Sequence, residues 1–168
     1  MDNKAIFATG FPWKDTYLWL ATTEIGVCAI DFERNQSLKS FKDSFSSVVI
    51  DRPNDVLIKL ISQLEKYFRG VPIEFDLPLD FLHGTDFQKL VWRCISAIPF
   101  GQTRTYGQIA RELGNPGAAR AVGMANGANP IPIVVPCHRV VQSDGKLGGY
   151  RGGLDIKDTL LRLEGVIF

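Results

Sequence analysis

Short β-rich runs come first along this chain, and helical spacing follows. Tyr17–Thr23 and Gly26–Phe32 are dense in apolar, β-branched and aromatic residues, flank Glu24-Ile25, and predict a hairpin. Val48-Val49-Ile50 predicts a further strand. After Arg52-Pro53-Asn54, the apolar positions Val56, Leu57, Leu60, Ile61, Leu64 and Phe68 recur three or four apart, as on one face of a helix that stops at Arg69-Gly70. Residues 71–84 hold no period, contain Pro72, Pro78 and Gly84, and read as a linker. The pattern therefore divides the chain at about residue 80. Residues 1–80 form a small α/β structural domain with a hairpin or sheet and a helix, and residues 81–168 a mainly helical second domain, giving an α/β fold of the α+β kind.

The second domain opens on Thr85-Asp86-Phe87-Gln88, a capping box, and Phe87, Leu90, Val91, Cys94, Ile95 and Ile98 mark the buried stripe of a helix that Pro99 ends. Thr105 caps a helix from Tyr106 to Leu113, Gly114-Asn115-Pro116-Gly117 turns the chain, and Ala118 to about Gly127 forms a second short helix. Such a pair is either a plain packing unit or a DNA-binding helix-turn-helix. A helix that reads base edges carries several Arg, Asn or Gln side chains, whereas this one sets small residues around one long cation, Arg120. Small residues let a backbone approach a narrow groove, and one arginine can enter the duplex or neutralise a phosphate, which favours docking without sequence preference.

Composition narrows the setting. The chain has 168 residues, 45% of them hydrophobic, and a net charge of +1, enough for an ordinary core. No apolar run approaches the roughly 18 residues that cross a bilayer, and no basic segment with an apolar stretch opens the chain, so no membrane association is expected. Cys28, Cys94 and Cys137 are too few and scattered for a disulfide framework and point to a reducing, cytoplasmic location, or a nuclear one in a eukaryote. Cys28 and Cys94 read as small core residues. With His83 and His138 the only histidines, and no Cys-x-x-Cys or His-x-x-x-His spacing, no metal site is expected. Between Gly101 and Arg151, six basic residues (Arg104, Arg111, Arg120, Arg139, Lys146, Arg151) face two acidic ones (Glu112, Asp144), so the positive surplus lies in the second domain.

That surplus coincides with the segment richest in chemistry, Asn129-Pro130-Ile131-Pro132-Ile133-Val134-Val135-Pro136-Cys137-His138-Arg139-Val140. Pro136 fixes its own φ and biases Val135 toward extended geometry, which predicts a strand ending in a sharp turn that aims Cys137. If Pro136 opens a helical turn instead, free N–H groups there favour thiolate over thiol. Neighbouring Cys and His side chains point to opposite faces of an extended chain, so a turn or one bridging water must join them. A buried structural thiol and a nucleophile both remain open on the dipeptide alone. Downstream, Gln142–Gly153 is glycine-rich but lacks the Lys-Ser/Thr ending of a phosphate loop; it is either a surface loop or the wall of a tight pocket for a flat ligand, with Tyr150 as a stacking contact. Leu154–Leu163 is amphipathic through Ile156, Leu160 and Leu163, and Glu164 at its end opposes the helix dipole, which calls for a partner such as His138. Cys137, His138 and Glu164 can then act as nucleophile, base and orienting group.

Taken together, Phe87–Gly165, with Ala118-Ala119-Arg120-Ala121-Val122-Gly123, Asn129–Val135, Pro136–Val140 and Gly148–Gly153 in order, resembles the O6-alkylguanine-DNA alkyltransferases, or methylated-DNA–protein-cysteine methyltransferases. The resemblance implies DNA repair by direct reversal. Duplex DNA carrying O6-alkylguanine is bound through the minor groove, the base is rotated out, and its alkyl group passes irreversibly to Cys137, with O4-alkylthymine a second candidate substrate. It further implies that His138 is a base acting through water, that Glu164 orients it and that Asn129 braces the turn. Arg120 fills the vacated base position, Tyr106 donates to the guanine ring, and Ala118, Ala119 and Gly123 join them against DNA. Val140, Tyr150, Pro132, Gly148 and Arg151 line the pocket. A monomer without cofactor is expected. Arg151 departs from the pattern, which often carries a small hydroxyl residue there, and the zinc ligands of some members are absent. Competing readings are an alkyltransferase-like damage binder, which lacks the cysteine, a thiol hydrolase, and an operator-specific regulator.

Overall fold

Four strands build the first part of the chain. β1 (Ile6–Trp13), β2 (Thr16–Thr22) and β3 (Val27–Phe32) form an antiparallel meander, and β4 (Val49–Ile50) pairs in parallel with β1, giving the order β3-β2-β1-β4. The β2–β3 hairpin is the one predicted, but β1 was not: Gly10 and Pro12 interrupt its β character, and its pairing with β2 across Lys14-Asp15 supplies what local propensity does not. A short helix, α1 (Leu38–Asp43), capped by Ser37, also escaped the periodicity because it spans less than two turns. α2 (Asp55–Phe68) starts on the Asn54 side chain, which accepts from Leu57 N, and turns Leu57, Leu60, Leu64 and Tyr67 inward over the three long strands. Ile6, Ala8, Trp19, Ala21, Cys28 and Phe41 make a core cluster.

This computed structural model describes residues 4–46, 49–50 and 52–168, so Val48 of the expected strand lies outside the described residues. The chain divides into two compact units, one running to Val71 and including Phe75–Leu82, the other comprising Pro72–Glu74 and His83–Phe168. Much of the stretch expected to be a linker is thus part of the first unit. Val27 N donates to Pro78 O and Asp80 N to Val27 O, both at 2.8 Å, because β3 would otherwise leave these groups unpaired along its edge. Lys4 and Thr23 hold the Asp80 carboxylate at the same place.

In the second unit α3 (Asp86–Ser96) begins at the Thr85–Gln88 capping box. Its buried face is Val91, Trp92 and Ile95; Leu90 is exposed, contrary to the expected stripe, and Trp92 takes its place by donating from Nε1 to Ala125 O at 2.7 Å. Cys94 is not a core residue either, being half-buried with Sγ 3.3 Å from Glu112 Oε2. β5 (Arg104–Thr105) leads into α4 (Tyr106–Glu112), again through a capping box, Thr105–Gln108. After a tight turn and one turn of 3-10 helix at Pro116–Ala118 comes α5 (Ala119–Gly127). A second 3-10 turn, Cys137–Arg139, runs into β6 (Val140–Val141), which pairs in parallel with β5, and α6 (Leu154–Leu163) follows. Among the described residues no helix is long and apolar enough to cross a membrane.

The docking of residues 78–80 on β3 depends on Gly26, where an added Cβ would sit 2.5 Å from Pro78 O. Gly26→Ala is expected to destabilise the first unit by about 1–3 kcal/mol through this overlap with backbone, measured by urea denaturation followed by tryptophan fluorescence.

Candidate active site

The approach to Cys137 is a knot of turns rather than the strand that the sequence suggested. Pro130, Pro132 and Pro136 offer no N–H, so a ladder cannot form; instead Val135 N reaches back to Ile131 O at 2.9 Å, and Ile133 sits at φ 76°. Asn129 closes the knot from inside, its amide donating to Val135 O at 2.8 Å while its oxygen accepts from Ile131 N at 3.0 Å. The whole of 131–140 is buried. Pro132 bridges to Val135 within this knot. Cys137 then lies at the start of a helical turn, the second of the two sequence alternatives, with its own N–H on Val135 O at 2.8 Å and its carbonyl facing the Asn126 amide at 3.4 Å.

His138 and Glu164 meet as the helix-dipole argument required, with Nε2 and Oε1 2.7 Å apart and both side chains fully buried. Two further groups share the carboxylate. Arg139 grips it with Nε on Oε2 at 2.9 Å and Nη2 on Oε1 at 3.0 Å, and Gly101 N donates to Oε2 at 3.1 Å. Burial alone would raise the Glu164 pKa, but the bonds from His138 and Arg139 outweigh it and hold the group down at about 2. The remaining guanidinium nitrogen donates to Ile98 O, and the Phe100 ring lies 6.0 Å away over the cation.

Lys157 is the larger surprise. On a helix read as amphipathic it is wholly buried, and its Nζ donates to the carbonyls of Val140, Leu147 and Gly149. Burial lowers its pKa to about 8, an effect that a thiolate at Cys137 would oppose. The ammonium thus pins the glycine-rich loop onto β6. Gly148 completes the closure: its φ of 72° suits glycine, and a Cβ there would stand 2.8 Å from the Tyr106 hydroxyl. Tyr106 also lies against Gly123 of α5, and its pKa is raised by burial and by Cys137. The Tyr150 ring meets His138 edge-on, centroids 6.5 Å apart.

Sequence and structure part over charge. The flanking turn suggested a thiolate, yet burial pushes the Cys137 thiol up to about 11, despite the Asn129 bond, Lys157, the local backbone and Arg151. Burial likewise lowers His138, more than Glu164 raises it. The resting pair is therefore neutral thiol and neutral imidazole.

The structure thus brings Cys137, His138, Glu164, Asn129, Tyr106, Gly148 and Tyr150 into one neighbourhood. Val140 is fully buried in β6, and Arg151 is exposed but near enough to act electrostatically on Cys137. Arg120 stands exposed on α5, with Ala118, Ala119 and Gly123 half-buried beside it.

Residues 6–81 match the ribonuclease-like domain of 6-O-methylguanine DNA methyltransferase, and residues 86–166 match the DNA binding domain of the same family. The chain belongs to that family. A methylated-DNA–protein-cysteine methyltransferase of Methanosarcina acetivorans is 48% identical over 147 residues, covering 87% of this chain and 90% of that protein. One from Mycolicibacterium paratuberculosis is 62% identical over 104 residues, 62% of each, so the aligned stretch spans under two thirds of that relative. Among solved structures, Mycobacterium tuberculosis OGT in complex with DNA superposes with a TM-score of 0.81 at 41% identity, covering 95% of this chain and 93% of that one.

Within this methyltransferase-family site, Arg139, Lys157 and Asn126 were missed from sequence. Arg139 was legible only as surface charge and Lys157 as the polar side of a helix; a lysine one position after the inward Ile156 was the available signal. With the thiol pKa near 11, carbamidomethylation of Cys137 by iodoacetamide without DNA is expected to keep accelerating as pH rises beyond 8.5. The check is peptide mass spectrometry of Cys137 over a pH series, and a plateau by pH 7 would contradict the neutral resting state.

Proposed function

We propose that this protein repairs DNA by taking the alkyl group of O6-alkylguanine onto Cys137, once per molecule. The observation that carries the reading is the buried Cys137–His138–Glu164 arrangement beneath a loop held shut by Lys157 and Tyr106 contacts. The neutral resting pair fits a thiol that ionises only when substrate is in place.

In the proposed reaction, the extruded guanine enters under the glycine-rich loop and Tyr150, with Pro132, Val140, Gly148 and Arg151 bounding the space. Sγ attacks the alkyl carbon in line as the bond from that carbon to O6 breaks. The thiol proton leaves through water to His138; because Glu164 occupies Nε2, it arrives at Nδ1. Arg139 keeps Glu164 ionised, so the carboxylate steadies the imidazolium without taking its proton. Negative charge moves to the guanine and is met by the Tyr106 hydroxyl; returning the thiol proton to the base leaves neutral guanine and a cysteine thioether. Asn129 holds the turn in register, and Lys157 offers the forming thiolate a positive charge. No residue of the site can cleave a thioether, so the protein is spent after one event. No cofactor enters this scheme.

The second unit supplies both chemistry and DNA binding, and the first is a structural module. α4 and α5 dock in the minor groove of duplex DNA, Arg120 fills the gap left by the extruded base, and Ala118, Ala119, Gly123 and Tyr106 lie against the duplex. The free thiols Cys28, Cys94 and Cys137 suit a reducing cytoplasm, and a monomer suffices for one lesion.

Incubation with a duplex bearing one O6-methylguanine is expected to add a single methyl group, located at Cys137 by intact-mass and peptide spectrometry. Cys137→Ala should gain none. An unmodified wild-type protein under saturating lesion would overturn the proposal.

A further inference from the structure

α5 turns two faces to two different tasks. Val122, Ala125 and Asn126 point inward, where the Ala125 carbonyl is held by Trp92 Nε1 at 2.7 Å and the Asn126 amide faces the Cys137 carbonyl at 3.4 Å. Outward stand Arg120, Ala121, Met124 and Gly127, all exposed. Arg120 and Met124, four residues apart, project from the same side about one turn from each other.

On this face of small residues Met124 is the exception. The residue is 78% exposed, the most open of the large apolar residues among those described, although a thioether gains nothing from water. Ala121 and Gly127 leave it standing clear of the helix, and no acidic side chain lies on the α5 face to repel a phosphate backbone. An unbranched, adaptable apolar side chain beside an exposed arginine matches the equipment with which proteins wedge open a minor groove: the cation for charge, the apolar group for base and sugar edges.

We infer that Met124 is a second DNA probe beside Arg120, an apolar wedge that enters the minor groove of the lesion-bearing duplex one helical turn from the arginine. This rests on the minor-groove docking proposed above. Met124 carries no charge, so it contributes to affinity without displacing counterions, whereas Arg120 contributes through them. Since α5 is pinned from behind to the turn that holds Cys137, Met124 also fixes how deeply the helix settles before the base is captured.

The test measures anisotropy of a labelled duplex with one O6-methylguanine over a salt series, together with the single-turnover rate on free O6-benzylguanine. The proteins compared are wild type, Met124→Gln, Met124→Ala, Met124→Leu and Arg120→Ala. Met124→Gln and Met124→Ala are expected to bind roughly three- to tenfold more weakly with an unchanged salt slope. Met124→Leu should retain wild-type affinity, and every Met124 variant should react with the free base within twofold of wild type. Arg120→Ala should flatten the salt slope by about one unit. Wild-type affinity in Met124→Gln, or equal losses on duplex and free base, would overturn the role of Met124. Failure of the wild-type protein to bind the duplex or to acquire a methyl group would instead strike the underlying function, so the two failures separate cleanly.

Discussion

A single buried carboxylate organises the second unit. Glu164 receives donors from His138, from two nitrogens of Arg139 and from Gly101 N, drawing the end of α6, the loop after α3 and the turn holding Cys137 onto one point. Removing one partner from a buried charge pair of this kind leaves the other uncompensated at a cost of about 3–5 kcal/mol, so each element is held as firmly as the pair itself. The carboxylate and guanidinium offset each other, and burial keeps the imidazole beside them neutral. Reactivity and fold draw on the same few atoms, and the helix dipole that Glu164 opposes is the smaller effect.

The charge balance of the pocket follows from that cancellation. With Arg139 and Glu164 neutralising each other, Lys157 supplies a buried positive charge that donates to three backbone carbonyls. A thiolate formed at Cys137 is the charge this arrangement lacks. Burial makes the resting thiol a poor nucleophile, and burial makes the lysine's field strong at short range. In the proposed reaction the site stays inert toward casual electrophiles and responds when a guanine fills the pocket and supplies hydrogen-bonding atoms of its own. Lys157 also closes the glycine-rich loop, so the group that favours the thiolate and the group that shapes the pocket are the same.

Much of this could be read from the chain because local signals agreed with the fold. The capping box at Thr85 and the cap at Thr105 placed the starts of α3 and α4 to the residue, and the position of Glu164 at a helix end called for the partner that it has. Where the reading failed, tertiary contacts had overridden local pattern. β1 is a strand because β2 pairs with it, and residues 78–80 are ordered because the edge of β3 needed partners. Pro136 was read as ending a strand, yet with Pro130 and Pro132 it removes the very donors that a strand requires. Arg139 and Lys157 were invisible as buried charges since each finds its acceptors far along the chain, at 164 and 98 for the arginine and at 140, 147 and 149 for the lysine.

The protonation of His138 carries the most consequence for this account and is directly observable. The chain has two histidines, His83 and His138, so nitrogen-15 NMR of imidazole-labelled protein resolves them without ambiguity. Burial lowers the His138 pKa, and its Nε2 faces a carboxylate that can only accept. The expected result is a neutral His138 carrying its proton on Nε2 at neutral pH, with its titration displaced to the acid side of an ordinary imidazole. An imidazolium at neutral pH, or a neutral ring protonated on Nδ1, would contradict the account.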